Sequence, residues 1–182
     1  MRIIGGQFKR RTLQVPKGHD VRPTTDRVRE ALFNLLHARR SLTGARVLDL
    51  FAGSGALGLE AISRGAASVT FVDADPRVLR VARANATSLG VERACSFLRA
   101  DALAHLHRPS GARYDLVFAD PPYDLAALPA LPALAQPHLA DEGFFVLEHD
   151  TRHDFAEHPD LVVTRAYGRT VISIFDSGVG SS

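Results

Sequence analysis

Val47-Leu48-Asp49-Leu50-Phe51-Ala52-Gly53-Ser54-Gly55-Ala56-Leu57-Gly58 is the stretch that decides the fold. Its apolar opening reads as a strand buried on both faces. Glycines at the first, third and sixth places of G-x-G-x-x-G then allow a tight turn into a helix and a close backbone approach to a ligand. Working outward, strands are expected at residues 46–50, 68–72, 94–99, 114–119 and 143–148. Helices are expected between them at 56–64, 76–89, 102–107 and, interrupted by Pro129, Pro132 and Pro137, about 126–136. Asp75-Pro76 is a cap followed by proline at the first helical position. Two further strands, 161–166 and 170–175, flank Tyr167-Gly168-Arg169 as a terminal antiparallel hairpin. His158-Pro159 argues against a long crossover helix between Glu148 and Leu161. Alternating strand and helix implies an α/β fold, a doubly wound and mostly parallel Rossmann-like sheet, with ligands at the strands' C-terminal ends where the order reverses.

On the N-terminal side, residues 2–4 and 12–15 flank a glycine-containing segment and read as a small hairpin. Arg22-Pro23-Thr24-Thr25 leads into a helix that Thr25 or Asp26 can cap, with Val28, Leu32, Leu35 and Leu36 on one face. Gly44 closes the unit. The expected organisation is therefore a basic extension over residues 1–44, one α/β domain over 45–176 and a frayed tail over 177–182.

Charge supports that division. Residues 1–46 hold 11 Lys/Arg against 3 Asp/Glu, while the remaining 136 hold 11 against 17. A basic arm carrying Lys9, Arg10, Arg11, Lys17, Arg22, Arg27 and Arg29 on a mildly acidic body points to a polyanion, nucleic acid by preference, against the alternative of a solvated basic face. At 182 residues, 46% of them hydrophobic, the chain is ordinary soluble material with no run of membrane-spanning length. Its first residues lack a signal-peptide core, so a cytoplasmic location is expected. A single cysteine, Cys95, can form no internal disulfide and reads as a small buried hydrophobe. With no H-E-x-x-H pattern and one cysteine, no metal site is expected. A monomer is the expected state.

The glycine loop with Asp73, 20 residues beyond Gly53, taken alone is a dinucleotide fingerprint. Asp49 opposes that reading, because a carboxylate four residues before Gly53 would lie close to a pyrophosphate. It suits an ammonium instead. S-adenosylmethionine (AdoMet) carries a sulfonium, an ammonium and a ribose but no phosphate. Gly53 and Gly55 would let the backbone approach it, Asp49 would lie near the methionine end, and Asp73 would take the ribose. Asp101 would either accept from the adenine amine or cap the helix at 102–107, and both roles are compatible.

Asp120-Pro121-Pro122-Tyr123 follows the apolar run 114–119 at a strand's C-terminal end. The prolines fix φ and supply no N–H, which leaves the Asp120 carboxylate and nearby carbonyls as outward acceptors beside the flat face of Tyr123. Acceptors with a stacking platform suit a planar group bearing NH₂, such as a nucleobase. The bland alternative is a proline-rich turn.

Asp49 to Gly58, then Asp73, then Asp120 to Tyr123 together resemble AdoMet-dependent amino-methyltransferases. Arg22-Pro23-Thr24-Thr25-Asp26-Arg27-Val28-Arg29-Glu30-Ala31-Leu32-Phe33-Asn34, with the opening Arg2-Ile3-Ile4-Gly5-Gly6, is similar to the bacterial RsmD family of 16S ribosomal RNA guanine-N2 methyltransferases. The likeness runs from Arg2 to about Phe175. It implies a cofactor site of Asp49, Phe51, Gly53, Gly55, Asp73 and Asp101, with Thr25 in a segment that closes over the cofactor. It further implies a base-binding corner of Asp120, Pro121, Pro122 and Tyr123. RNA contacts would come from Lys9, Arg10, Arg11, Arg22 and Arg27. The implied substrate is a guanine in the helix 31 loop of 16S rRNA, conventionally numbered 966, within the small subunit or its assembly intermediate.

Rival readings keep the chemistry but change the amine to adenine N6, cytosine N4 or a protein glutamine. A nicotinamide oxidoreductase and a non-catalytic assembly factor that holds AdoMet are further classes. Equilibrium binding of NADH against AdoMet separates the first of these.

Overall fold

The computed structural model describes residues 1–16, 25–108 and 111–178. Seven strands form one sheet in the order β3-β2-β1-β4-β5-β7-β6. β1 (Arg46–Leu50), β2 (Ser68–Asp73), β3 (Cys95–Arg99), β4 (Tyr114–Ala119) and β5 (Leu139–Asp150) are mutually parallel. β6 (Leu161–Tyr167) and β7 (Thr170–Asp176) form the expected hairpin, and β7 pairs antiparallel with β5. No helix bridges β5 and β6, as His158-Pro159 implied.

Side chains alternate across the strands and supply two cores. Val47, Phe71, Leu116 and Phe118 pack under α1 (Asp26–His37), α2 (Ala56–Ser63) and α3 (Pro76–Leu89). Leu48, Leu50, Val117 and Phe145 face α4 (Ala102–Leu106) and α5 (Leu131–Ala135). The central strands are buried on both faces, as near-continuous apolar runs require, whereas β3 and β6 at the two edges are largely exposed.

Two elements depart from expectation. β5 begins at Leu139, four residues early, through a register shift between Tyr114 and Leu116 on its partner strand. Gly143 permits this irregularity, since a Cβ there would sit 2.8 Å from the Ala140 oxygen and 2.9 Å from that of Tyr114. The helix expected at 126–136 is split into a 3-10 turn at Leu128–Ala130, the short α5, and a second 3-10 turn at Gln136–His138. A proline stands in the first positions of each piece, where it replaces a donor and restarts the turn.

The N-terminal segment folds back on itself with a single antiparallel bridge, Arg2 to Thr12, flanked by backbone bonds from Ile3 N–H to Arg11 and from Leu13 N–H to Met1. Ile3 and Leu13 are buried in the same core as Val28 and Phe33 of α1. Among the described residues no helix is long and apolar enough to cross a membrane.

Candidate active site

The sheet order reverses between β1 and β4, which leave in opposite directions from the centre. Their register sets Leu50 opposite Ala119. The chain therefore leaves β1 into the glycine loop beside the point where it leaves β4 into Asp120-Pro121-Pro122-Tyr123. Residues separated by some 70 positions in sequence meet at one sheet edge because both follow parallel strands.

Phe51, Gly53 and Gly55 all have left-handed φ, at 55°, 54° and 77°. Gly53 is the most open of the three glycines: a Cβ there would meet nothing nearer than the Phe51 oxygen at 4.0 Å. Gly58 is different. A Cβ would come within 2.5 Å of Phe71 Cε1 and 2.7 Å of Val69 Cγ1, so this glycine serves helix–strand packing.

Two carboxylates shape the loop. Asp73 Oδ2 accepts from Gly53 N–H at 3.0 Å and its Oδ1 accepts from Asp75 N–H at 2.9 Å. Each carboxylate oxygen has a further lone pair for a ligand. Asp49 is 2% exposed, and its Oδ2 accepts from Gly58 N–H at 2.9 Å, tying the end of β1 to the first turn of α2. Burial, reinforced by nearby Asp73 and only partly offset by the Gly58 bond, pushes the Asp49 carboxyl up to about 8. An adjacent cation would favour its charged form.

Asp101 caps α4, accepting from Ala104 N–H at 2.8 Å, and stays exposed just beyond β3, whose Arg99 pairs with Asp73. The cap and an outward-facing carboxylate thus coexist. Asp75 caps α3 as expected.

The corner after β4 is rigid. Pro121 is buried, and Leu125 N–H donates to the Pro122 carbonyl at 3.0 Å, closing a turn. The half-buried Tyr123 donates its hydroxyl to Glu148 Oε1 at 3.3 Å and lies 3.5 Å from Thr170 Oγ1, while its carbonyl accepts from Arg152 Nη2. Burial chiefly pushes the Tyr123 phenol up to about 12, so it remains a donor at neutral pH. Glu148 and Thr170 are sequence-distant supports that no local motif announces.

The basic arm divides into cations with different surroundings. Lys9, Arg10 and Arg27 are exposed. Arg11 is exposed too but donates to the Ser88 carbonyl at 2.7 Å, at the end of α3. Arg29 corrects the charge reading: it is 1% exposed and bonds Asp26 Oδ1 at 2.8 Å and the Arg2 carbonyl at 2.7 Å, which makes it a structural tie between α1 and the N-terminal segment. Thr25, not Asp26, caps α1 through its side chain, which accepts from Val28 N–H. Lys17, Arg22, Pro23 and Thr24 lie outside the described residues. A second tie escaped the sequence reading. Glu60, fully buried in α2, accepts from the N–H groups of Ile4 and Gly5, each at 2.8 Å. The signal was a lone acid within Leu57-Gly58-Leu59-Glu60-Ala61-Ile62. Cys95 is partly buried, and burial lifts its thiol to about 11, which makes it a poor nucleophile.

A parallel five-strand unit, a glycine loop at the switch point and an antiparallel terminal hairpin together constitute the Rossmann-like fold of class I methyltransferases, a class that takes AdoMet as methyl donor. The chain belongs to the family described as Conserved hypothetical protein 95, which matches residues 1–176. Ribosomal RNA small subunit methyltransferase D of Escherichia coli K12 is 39% identical over 161 residues, covering 87% of this chain and 79% of its own. A Bacillus subtilis relative, YlbH, named as a candidate rRNA methyltransferase, is 40% identical over 184 residues, covering 96% of this chain and 98% of its own. The solved structure of a candidate methyltransferase from Escherichia coli, yhhF, superimposes with a TM-score of 0.83 at 35% identity and 97% coverage of each chain.

Proposed function

We propose that this protein transfers a methyl group from AdoMet to the exocyclic N2 amine of a guanine in 16S rRNA, in the helix 31 loop at position 966. The observation that carries the reading is the meeting of the glycine loop and the Asp120–Tyr123 corner at the β1/β4 switch point, in a chain 39% identical to a relative named for small-subunit rRNA methylation.

The donor set fits the cofactor. Asp49, Asp73 and Asp101 gather acceptors along one edge, which suits an ammonium, ribose hydroxyls and an adenine amine and disfavours a pyrophosphate. Gly53, held at a φ of 54°, leaves open space beside the loop. When bound, AdoMet supplies an electrophilic sulfonium methyl.

The chain's own residues supply position and polarity. A guanine N2 amine is a poor nucleophile because its lone pair is delocalised into the ring. Asp120 and the Pro121 carbonyl accept the two amine hydrogens, turning the nitrogen lone pair toward the methyl, and Tyr123 stacks on the base. On methylation the amine would give up one proton, which Asp120 or water would accept. Asp120 acts on an amine that becomes acidic only as the new bond forms, so an ordinary carboxylate suffices. Positioning and exclusion of water carry most of the rate. A guanine in a loop is the cheapest to extrude into such a corner. Thr25 would border the cofactor, with Lys9, Arg10, Arg11, Arg22 and Arg27 on the RNA. A cytoplasmic monomer acting on the small subunit or its assembly intermediate completes the reading.

The test uses small ribosomal subunits from cells lacking the protein, incubated with enzyme and methyl-labelled AdoMet. The expected product is N2-methylguanosine at the helix 31 loop, identified by nucleoside mass spectrometry. Label on another base, on DNA or on protein glutamine would retain the fold and cofactor but overturn the substrate.

A further inference from the structure

We infer that the turn between β6 and β7 carries a second nucleotide site, a groove that holds the base next to the target guanine; this rests on the RNA-methylation reading above. A groove of about 410 Å³ lies between the start of α1 and that turn, lined by Thr25, Arg27, Val28, Ala166, Tyr167 and Gly168. Its contents suit one unpaired nucleotide. Tyr167 is half-exposed and packs its other side on the core under α1, so it offers a fixed aromatic face. Arg27 on one bank and Arg169 beside the other are exposed cations able to meet a phosphate.

Location strengthens the assignment. Tyr167 pairs with Thr170 across the hairpin, and Thr170 Oγ1 lies 3.5 Å from the Tyr123 hydroxyl. The groove is therefore one strand-end away from the base-binding corner. On its other side Arg27 also lines a second groove of about 370 Å³ with Arg2, Lys9 and Arg10, where Asp26, paired with Arg2 at 2.8 Å, and Glu30 offset part of the positive charge. Thr170 links the corner to the aromatic groove, and Arg27 is common to the two grooves. A single strand whose target base enters the corner would lay its neighbour on Tyr167 and its phosphates along Arg27, Lys9 and Arg10. A second aromatic stack also holds an extruded nucleotide's neighbour apart from it, which favours the flipped state.

The experiment compares methyl transfer to unmethylated small subunits by the full-length enzyme and by Tyr167→Ala, Tyr167→Phe and Arg27→Gln. The expected result is a loss of roughly ten-fold in kcat/KM for Tyr167→Ala, the scale of one base–aromatic stack, with near-normal transfer by Tyr167→Phe and unchanged AdoMet affinity for both. Arg27→Gln should reduce the salt dependence of binding to a 4-thiouridine RNA stem-loop, and the thiobase should crosslink at Tyr167. Normal transfer by Tyr167→Ala from an active wild type overturns the groove alone. Should Tyr167→Ala not fold, equal loss in Tyr167→Phe or absence of the crosslink overturns it instead. An inactive wild type, with AdoMet bound, overturns the methylation reading and the groove with it.

Discussion

The Tyr123 hydroxyl donates to the Glu148 carboxylate at 3.3 Å, joining the corner after β4 to the end of β5. This bond fixes the ring that is proposed to stack on the base. Glu148 is 4% exposed, so the link sits inside the sheet edge and is little screened by water. Tyr123→Phe keeps the aromatic face and loses the anchor. It should lower stability by about 1 kcal/mol, the net worth of such a bond, and reduce kcat modestly without changing AdoMet affinity. Tyr123→Ala removes the face as well and should cost far more in transfer. Urea midpoints and single-turnover rates on the two variants check this; equal rates for Phe and Ala would deny the ring a stacking role.

Asp120 stands at the mouth of the corner, partly exposed and one residue beyond the buried end of β4. Asp120→Ala should lower methyl transfer by about two orders of magnitude or more, the scale on which one positioned polar group acts at a reacting centre. AdoMet binding, measured by calorimetry, should persist. Loss of both together would mean that the residue supports the fold or the cofactor instead of the amine.

The sequence carried the sheet because its strands are short apolar runs set between clear helix starts, as at Asp75-Pro76 and Thr25. The two loops at the switch point were legible for the same reason, each being a run of special backbone residues directly after a strand. What escaped it depends on contacts between distant segments. Glu148 and Thr170 reach Tyr123 only because β5 and β7 are neighbours in the sheet. Arg29 reads as one more cation of a basic arm, yet α1 turns it inward onto Asp26 and the Arg2 carbonyl. The early start of β5 passes through Asp141 and Glu142, which carry no strand signal and are tolerated by an irregular register and Gly143.

Asp49 should give the protein a specific pH signature. Its folded value is raised from 3.8 to about 8, mainly by burial. An acid raised on folding stabilises the fold while both states hold the proton; that contribution is complete below about 4 and is lost as pH climbs to about 8. Asp49→Asn removes the titration and keeps an oxygen for the Gly58 N–H. The variant's stability relative to wild type should therefore rise between pH 5 and pH 8, by up to a few kcal/mol. Urea unfolding of both proteins at the two pH values tests it. A constant difference would show that Asp49 is ionised throughout the range.

Lys9, Arg10 and Arg11 adjoin one another in sequence but differ in their surroundings, and this predicts unequal roles. Lys9 and Arg10 are exposed and line the groove they share with Arg2, Arg27, Asp26 and Glu30. Arg11 uses its guanidinium on the Ser88 carbonyl. If RNA lies along the groove, each phosphate contact contributes about 0.7 to 0.9 to the slope of log affinity against log salt. Lys9→Ala and Arg10→Ala should each lower that slope by nearly one unit and weaken binding evenly across RNA sequences. Arg11→Ala should change the slope less and instead loosen the N-terminal segment from α3, seen as faster amide exchange at Ile3 and Leu13. Filter binding of a stem-loop RNA from about 50 to 200 mM salt supplies the slopes over a range where several contacts separate clearly. Equal slopes for the wild type and the Lys9 and Arg10 variants would place the RNA on another face, while a full-unit loss in Arg11→Ala would mean that its bond to Ser88 yields to phosphate on binding.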